Sequence, residues 1–299
     1  MDFRELFYWD HHYNFVLLFN LFITIGLFTS IRLFSGTISH INATDELLRK
    51  DNPAFGISMA GVIFAVTLVL SSVINGEPLD SIGGSIIAVG VYGILGIVLM
   101  SLTRFIFDRF LLPKVSIRNH IIAGNIAAGI TDAGNVIATA IIVRAVIKWV
   151  NIEDFTAIQA VLLAYVVSQL LLSLTTTTRL KLFSLKNPES SLTKAIESNN
   201  VAVAVRFAGH RIGTAFAIAA ASNIMVYEIN NIYYLIAGWA ALSLILMGIL
   251  EIIAFISHRI ILLRVDVYSE VVNQRNVALG TIQGVIYISL GLLLYQLMA

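Results

Sequence analysis

Apolar stretches of about 20 residues, the length needed to cross a bilayer as helix, alternate with polar links along the whole chain. They predict spans over 14–34, 54–74, 83–106, 122–146, 157–178, 200–222, 232–256 and 277–298. Three links are short and acidic: Asn75, Gly76, Glu77, Pro78 and Asp80; Asn151, Ile152, Glu153 and Asp154; and Glu228, Ile229, Asn230 and Asn231. The other links are longer and basic. The expectation is an all-α polytopic membrane protein of eight transmembrane helices. Two four-helix membrane repeats, residues 1–150 and 151–299, would together hold four parallel two-helix units.

The second span of each unit opens on a related string. These are Asn52-Pro53-Ala54-Phe55-Gly56, Asn125-Ile126-Ala127-Ala128-Gly129, Asn200-Val201-Ala202-Val203-Ala204 and Asn276-Val277-Ala278-Leu279-Gly280. The opening Asn residues are 73, 75 and 76 positions apart, a period that marks an internal repeat. Each string carries a second small residue four positions on, giving Gly56/Ala60, Gly129/Ala133, Ala204/Ala208 and Gly280/Gly284. An Asn at a helix start satisfies orphan amides of the first turn, and Pro53 fits the first helical position. Small residues at i and i+4 let another backbone approach closely. A packing seam accounts for the motif; a direct part in a pore is the alternative.

Composition strengthens the membrane reading. Of 299 residues, 58% are hydrophobic and 12% charged, with mean hydropathy +0.87, against about 25% charged in soluble domains. A soluble fold could not cover that much apolar side chain. The start, Met1-Asp2-Phe3-Arg4-Glu5, lacks the basic excess of a cleavable signal, so the first apolar run is expected to be retained.

Charge then orients the spans. The basic links carry Arg32, Arg49 and Lys50; Arg104, Arg109, Lys114 and Arg118; Arg179, Lys181, Lys186 and Lys194; and Arg259, Arg264 and Arg275, or 14 of 19 Lys and Arg residues. The opposite side has Arg4, Arg144 and Lys148. The positive-inside rule makes the basic side cytoplasmic and both termini external. The runs around Phe105, Phe107 and Phe110, and around Ile260 to Leu263, are expected to continue the helices through the interface.

The Asn-led starts, the small-residue seam and the alternating acidic and basic links resemble the YjfL-like family of bacterial inner-membrane proteins, a domain of unknown function. That resemblance implies two tandem four-helix domains and an inner-membrane location. It supplies no catalytic residues, and it implies envelope-stress or transport roles.

Polar groups deep in the spans are the candidate site, because polarity there is costly and functional by default. Asp132, Asn125 and Asn135 share a broad face of the fourth span, with Thr131 beside them. In the sixth span, Arg206 is shallow enough to snorkel. Arg211 lies roughly 17 Å in from Asn200, where lipid exposure would cost at least about 3 kcal/mol. His210 aligns with Asn135 through the repeat, and Val62 and Ile286 take that place in the outer units. From shared depth, Asp132 and Arg211 are expected to pair directly or through one polar group. Glu251 is expected to pair with Arg206 or to reach the interface.

No cysteine is present, so disulfides and thiolate sites are excluded. No metal or cofactor motif appears, His11-His12 lacks ligand spacing, and the Thr175 to Thr178 run is expected to bond to its own helix. The expected partners are membrane lipids, with a membrane-protein partner or a homo-oligomer as further candidates, and no nucleic acid. The expected function is non-enzymatic: transport of a small solute or ion through a polar helix interface, or alternatively a structural or envelope-stress signalling scaffold.

Overall fold

The computed structural model describes residues 11–39, 42–74, 82–112, 115–150, 156–186, 191–228 and 231–299. The acidic links 75–80 and 151–154, residues 229 and 230 of the third, Lys114 and the N-terminal residues 1–5 lie outside them. The described residues form α1 (His11–Ser39), α2 (Pro53–Ile74), α3 (Ile82–Ile106), α4 (Ile117–Ile122), α5 (Ile126–Trp149), α6 (Thr156–Lys186), α7 (Leu192–Glu197), α8 (Val201–Ile224), α9 (Ile232–Ile261) and α10 (Val277–Leu297). Seven of these helices (α2, α3, α5, α6, α8, α9 and α10) are long and apolar enough to cross a membrane. The first expected span corresponds to α1, whose described apolar stretch is the shorter Val16–Arg32.

Each Asn-led helix starts in the same way. The side-chain oxygens of Asn52, Asn125, Asn200 and Asn276 accept from the amides of Phe55, Ala128, Val203 and Leu279 at 2.9–3.2 Å, satisfying one orphan donor of each first turn. The residue before each cap, Asp51, Gly124, Asn199 or Arg275, has φ of 46, 81, 57 or 56°. That left-handed step turns the chain from the basic link into the helix.

The caps also tie the helices into a row. The Asn52 amide donates to the carbonyls of Ile121 and Ile122, that of Asn125 to Ile196 and Glu197, and that of Asn200 to Val271 and Val272. Each of these three caps thus holds the turn that precedes the next Asn-led helix. The order of the row is α2, α5, α8, α10.

Small residues set its spacing. A Cβ added at Gly61 would strike Ala133, one at Gly134 would strike Ala208, and one at Gly209 would strike Gly284. Counted from the opening Asn, each is the ninth position of one helix against the eighth of the next. Gly129 meets the backbone of Ala54, and Gly280 that of Ala202, which is the fourth position against the second. Ala133, Ala208, Gly129, Gly280 and Gly284 therefore lie at these close approaches. Gly56 and Ala60 occupy the same positions on α2, where no Asn-led helix precedes them, and Ala60 is exposed.

The remaining long helices flank the row: α3 packs on α2 and α5, α6 on α5, α8 and α9, and α9 on α8 and α10, while α1 lies against α3 and α2. α5 and α8 are consequently the most enclosed helices. The outer faces carry apolar side chains such as Ile94, Leu170, Ile252 and Phe255, suited to lipid contact. At the C-terminal end of α3, the chain continues helically into a π-helical turn, Phe107–Leu111. Phe107 there joins Phe55, Phe207, Leu192 and Ile196 in a second apolar cluster beneath the row.

Candidate functional site

Three polar clusters sit among these helices. In the first, the Arg104 guanidinium near the end of α3 grips Asp132 on α5 with two nitrogens, Nε donating to Oδ1 at 3.1 Å and Nη2 to Oδ2. Ser58 on α2 donates to Asp132 Oδ2 at 2.6 Å and accepts from Arg104 at 2.7 Å. Asp132 is 5% exposed, and its side-chain hydrogen bonds all come from the α2–α3 side. A two-nitrogen grip of this kind is strong and directional.

The second cluster lies in the other half of the chain. Glu251 on α9 accepts from Arg179 at 2.6 Å through one oxygen and meets His210 Nε2 at 2.6 Å through the other. Arg179 also donates to the Tyr287 hydroxyl at 2.5 Å. The Tyr287 ring packs edge-on against His210, 4.6 Å between centroids, and is 5.1 Å from the His258 ring. Arg206 is within electrostatic reach of Arg179, His210, His258 and Tyr287, and no ion pair to it occurs among the described residues. Gln283 Oε1 and His258 Nε2 are buried without hydrogen-bond partners.

The third cluster is built on Arg211, which is 2% exposed. Its Nη2 donates to Asn135 Oδ1 at 2.6 Å, and its Nη1 to Thr176 Oγ1 and, at 3.4 Å, to the Leu172 carbonyl. The guanidinium carbon lies 5.1 Å from the Phe107 ring centre and 5.9 Å from that of Phe207. Among the described residues no carboxylate reaches it within ion-pair distance. Arg211 Nε and Asn135 Nδ2 are both buried and unpaired, and so is Thr214 Oγ1, three residues further along α8. All three can donate.

These positions correct one expectation and narrow another. Asp132 does not pair with Arg211, because depth along a helix fixes height and not direction. Asp132 turns toward α2 and α3, whereas Asn135, three residues on, turns to α8 and takes Arg211. Of the two alternatives for Glu251, pairing with Arg206 does not occur, and the side chain is 41% exposed. Helix α6 runs on to Lys186, well beyond the expected end at 178, and so brings Arg179 to Glu251 from inside the bundle.

Asn125, the other member of the expected face, is a cap and a tie between helices and meets neither Asp132 nor Arg211. The Thr run does bond to its own helix, with Thr176 Oγ1 donating to Leu172 O at 2.8 Å. Its further role as acceptor for Arg211 was not anticipated. Arg104 and Arg179 were counted only as link charges, although each stands 21 positions before an opening Asn, a shared register that would have singled them out.

A family model described as Domain of Unknown Function (DUF350) matches residues 7–147 and again 152–298. The chain belongs to this family. No curated protein and no solved structure matches it.

The two DUF350 copies place polar residues at corresponding points but distribute charge differently. Counted from the opening Asn, Ser58 on α2 corresponds to Arg206 on α8, and Asp132 on α5 to Gln283 on α10. In the first copy Arg104 is paired with Asp132. The second carries Arg179, Arg206 and Arg211 against Glu251 among the described residues, and its counterpart of Asp132 is Gln283, whose Oε1 is buried without a partner.

Proposed function

We propose that this DUF350 protein is a non-enzymatic transporter of a small inorganic anion in the bacterial inner membrane, of the YjfL-like kind, with both termini outside. In this reading eight helices cross the bilayer as four parallel two-helix units. They form two domains, residues 1–150 and 151–299, and the second domain holds the working site.

One observation carries the proposal: a buried guanidinium, Arg211, has no carboxylate among the described residues, and its own Nε and the Nδ2 of its partner Asn135 are buried donors without acceptors. An uncompensated buried charge costs several kcal/mol, and a buried donor without an acceptor adds to that cost. An anion accepts from all of these groups and cancels the charge. Arg206 stands five residues earlier on α8, about 7.5 Å nearer the basic side. It is a half-buried cation that forms a first step toward Arg211.

A second reading, a membrane scaffold, is favoured by the closure of Phe107 and Phe207 over the Arg211 guanidinium, which is suited to a sealed structural cation. Melting of the purified full chain at constant ionic strength separates the two. Replacing gluconate by chloride, nitrate or phosphate raises the melting temperature of the transporter through preferential binding to the folded state. Asn135→Ala and Arg211→Gln abolish that rise. A melting temperature indifferent to all three anions supports the scaffold.

A further inference from the structure

The row α2–α5–α8–α10 has two unfinished ends, and they match each other. Within the row every helix presents one set of positions forward and another backward. The second, ninth and thirteenth positions after the opening Asn face the following helix, as in Ala54 against Gly129, Ala202 against Gly280, Gly209 against Gly284 and Gly213 against Gly291. The fourth, eighth and fifteenth face the preceding one.

On α10 the forward set is Ala278, Val285 and Ser289, and all three are exposed. On α2 the backward set is Gly56, Ala60 and Thr67; Ala60 and Thr67 are exposed and Gly56 is half-buried, its nearest foreign atom being Leu47 Cδ2 at 4.0 Å.

The caps show the same vacancy independently. Three of the four capping amides donate to the turn before the next helix, whereas Asn276 Nδ2 donates only within its own unit, to Glu270 at 2.9 Å. At the opposite end, Leu47 and Leu48 hold the places in the π-helical turn Asp45–Arg49 that Val271 and Val272 hold in Ser269–Asn273. Among the described residues their carbonyls receive no such amide.

We infer that the chain binds a second copy of itself head to tail, with α10 of one copy against α2 of the next. Ala278 takes the place of Ala202 against Gly56, and Asn276 the place of Asn200 beneath the turn at Leu47 and Leu48, while Val285, larger than the glycine at that position within the row, holds the two helices further apart opposite Ala60. The occupant is a second copy because this junction continues an interface that the chain already makes three times within itself. The two surfaces differ, so the contact is heterologous, and copies add in one direction until a ring closes or a filament extends. The inference is independent of the proposed transport.

The natural absence of cysteine gives a direct test in native membranes. Ala60→Cys and Val285→Cys are made in separate full-length chains, each carrying a different tag, and co-expressed under mild oxidation. The expected result is a disulfide-linked dimer carrying both tags, and no dimer when either variant is expressed alone. Because both substitutions are at exposed positions, folding is checked by the monodispersity of each purified variant. The double variant in one chain should give a ladder of three and more copies. Absence of the mixed dimer, or a dimer from either variant alone, overturns the head-to-tail junction.

Discussion

Arg211 Nη2 lies 2.6 Å from Asn135 Oδ1, so the most deeply buried guanidinium of the bundle is held by an amide and not by a carboxylate. α8 supplies the cation and α5 the acceptor, at nearly the same height above their caps, because the eleventh and tenth positions after Asn200 and Asn125 meet across the Gly134–Ala208 contact. A neutral partner orients the guanidinium without cancelling its charge. Asp132 would have cancelled it, but Arg104 and Ser58 hold that carboxylate on the opposite flank of α5.

The separation of these two clusters is measurable. A double-mutant cycle with Arg104→Gln and Asp132→Asn should give a coupling of about 1–2 kcal/mol in unfolding free energy, lowered from a fully buried pair by solvent at the arginine. The cycle of Asp132→Asn with Arg211→Gln should be additive within about 0.5 kcal/mol. Strong coupling in the second cycle and none in the first would reverse the assignment.

The seam predicts a different graded response. Gly129→Leu drives a side chain into the Ala54 backbone and should cut the folded yield severely, since overpacking of this kind costs about 1–3 kcal/mol or more. Gly248→Leu, on an exposed face of α9 with nothing within 4 Å of an added Cβ, should leave the yield near that of the parent chain. Size-exclusion yield after mild solubilisation reads both. Equal yields would remove the close approach as the organising contact.

An acid limit is expected at the first cap. Burial pushes the Glu46 carboxyl up, but hydrogen bonds from Lys50 and Asn52 and the Lys50 charge overcome it and hold the group below the ordinary carboxylate value. A depressed folded-state value means that this stabilisation is present above the unfolded-state pKa, about 4.3, and is lost as pH falls through the lower folded value. The melting temperature of the parent chain should therefore drop below about pH 4 more steeply than that of Glu46→Gln. Parallel curves would show that Glu46 does not contribute.

Much of the scaffold was legible from sequence. The Asn period announced both the caps and the seam, because capping and close packing depend on residue type at fixed offsets. Gly61, Gly134 and Gly209 form an equally regular set at the ninth position and could have been found in the same way. The charge pairs were not legible. Asp132 and Arg211 have matching depths, yet their partners were decided by which neighbour each helix face meets in the row, and by how far α6 runs beyond its apolar core. Arg104 and Arg179 look like link charges until the helices that carry them are seen to extend inward from the basic side.

The central claim, that the Arg211 cluster serves a permeating anion, is tested most directly by flux. Purified full-length protein is reconstituted into vesicles loaded in turn with chloride, nitrate or phosphate, and efflux is followed against protein-free vesicles. At least one anion should leave faster with the parent chain, and Arg211→Gln should slow that efflux on the order of tenfold, about 1.4 kcal/mol of barrier, while folding is verified by monodispersity. Arg206→Gln should slow it as well. Efflux of all three anions at the protein-free rate, or parent-like efflux from a folded Arg211→Gln variant, would contradict the account.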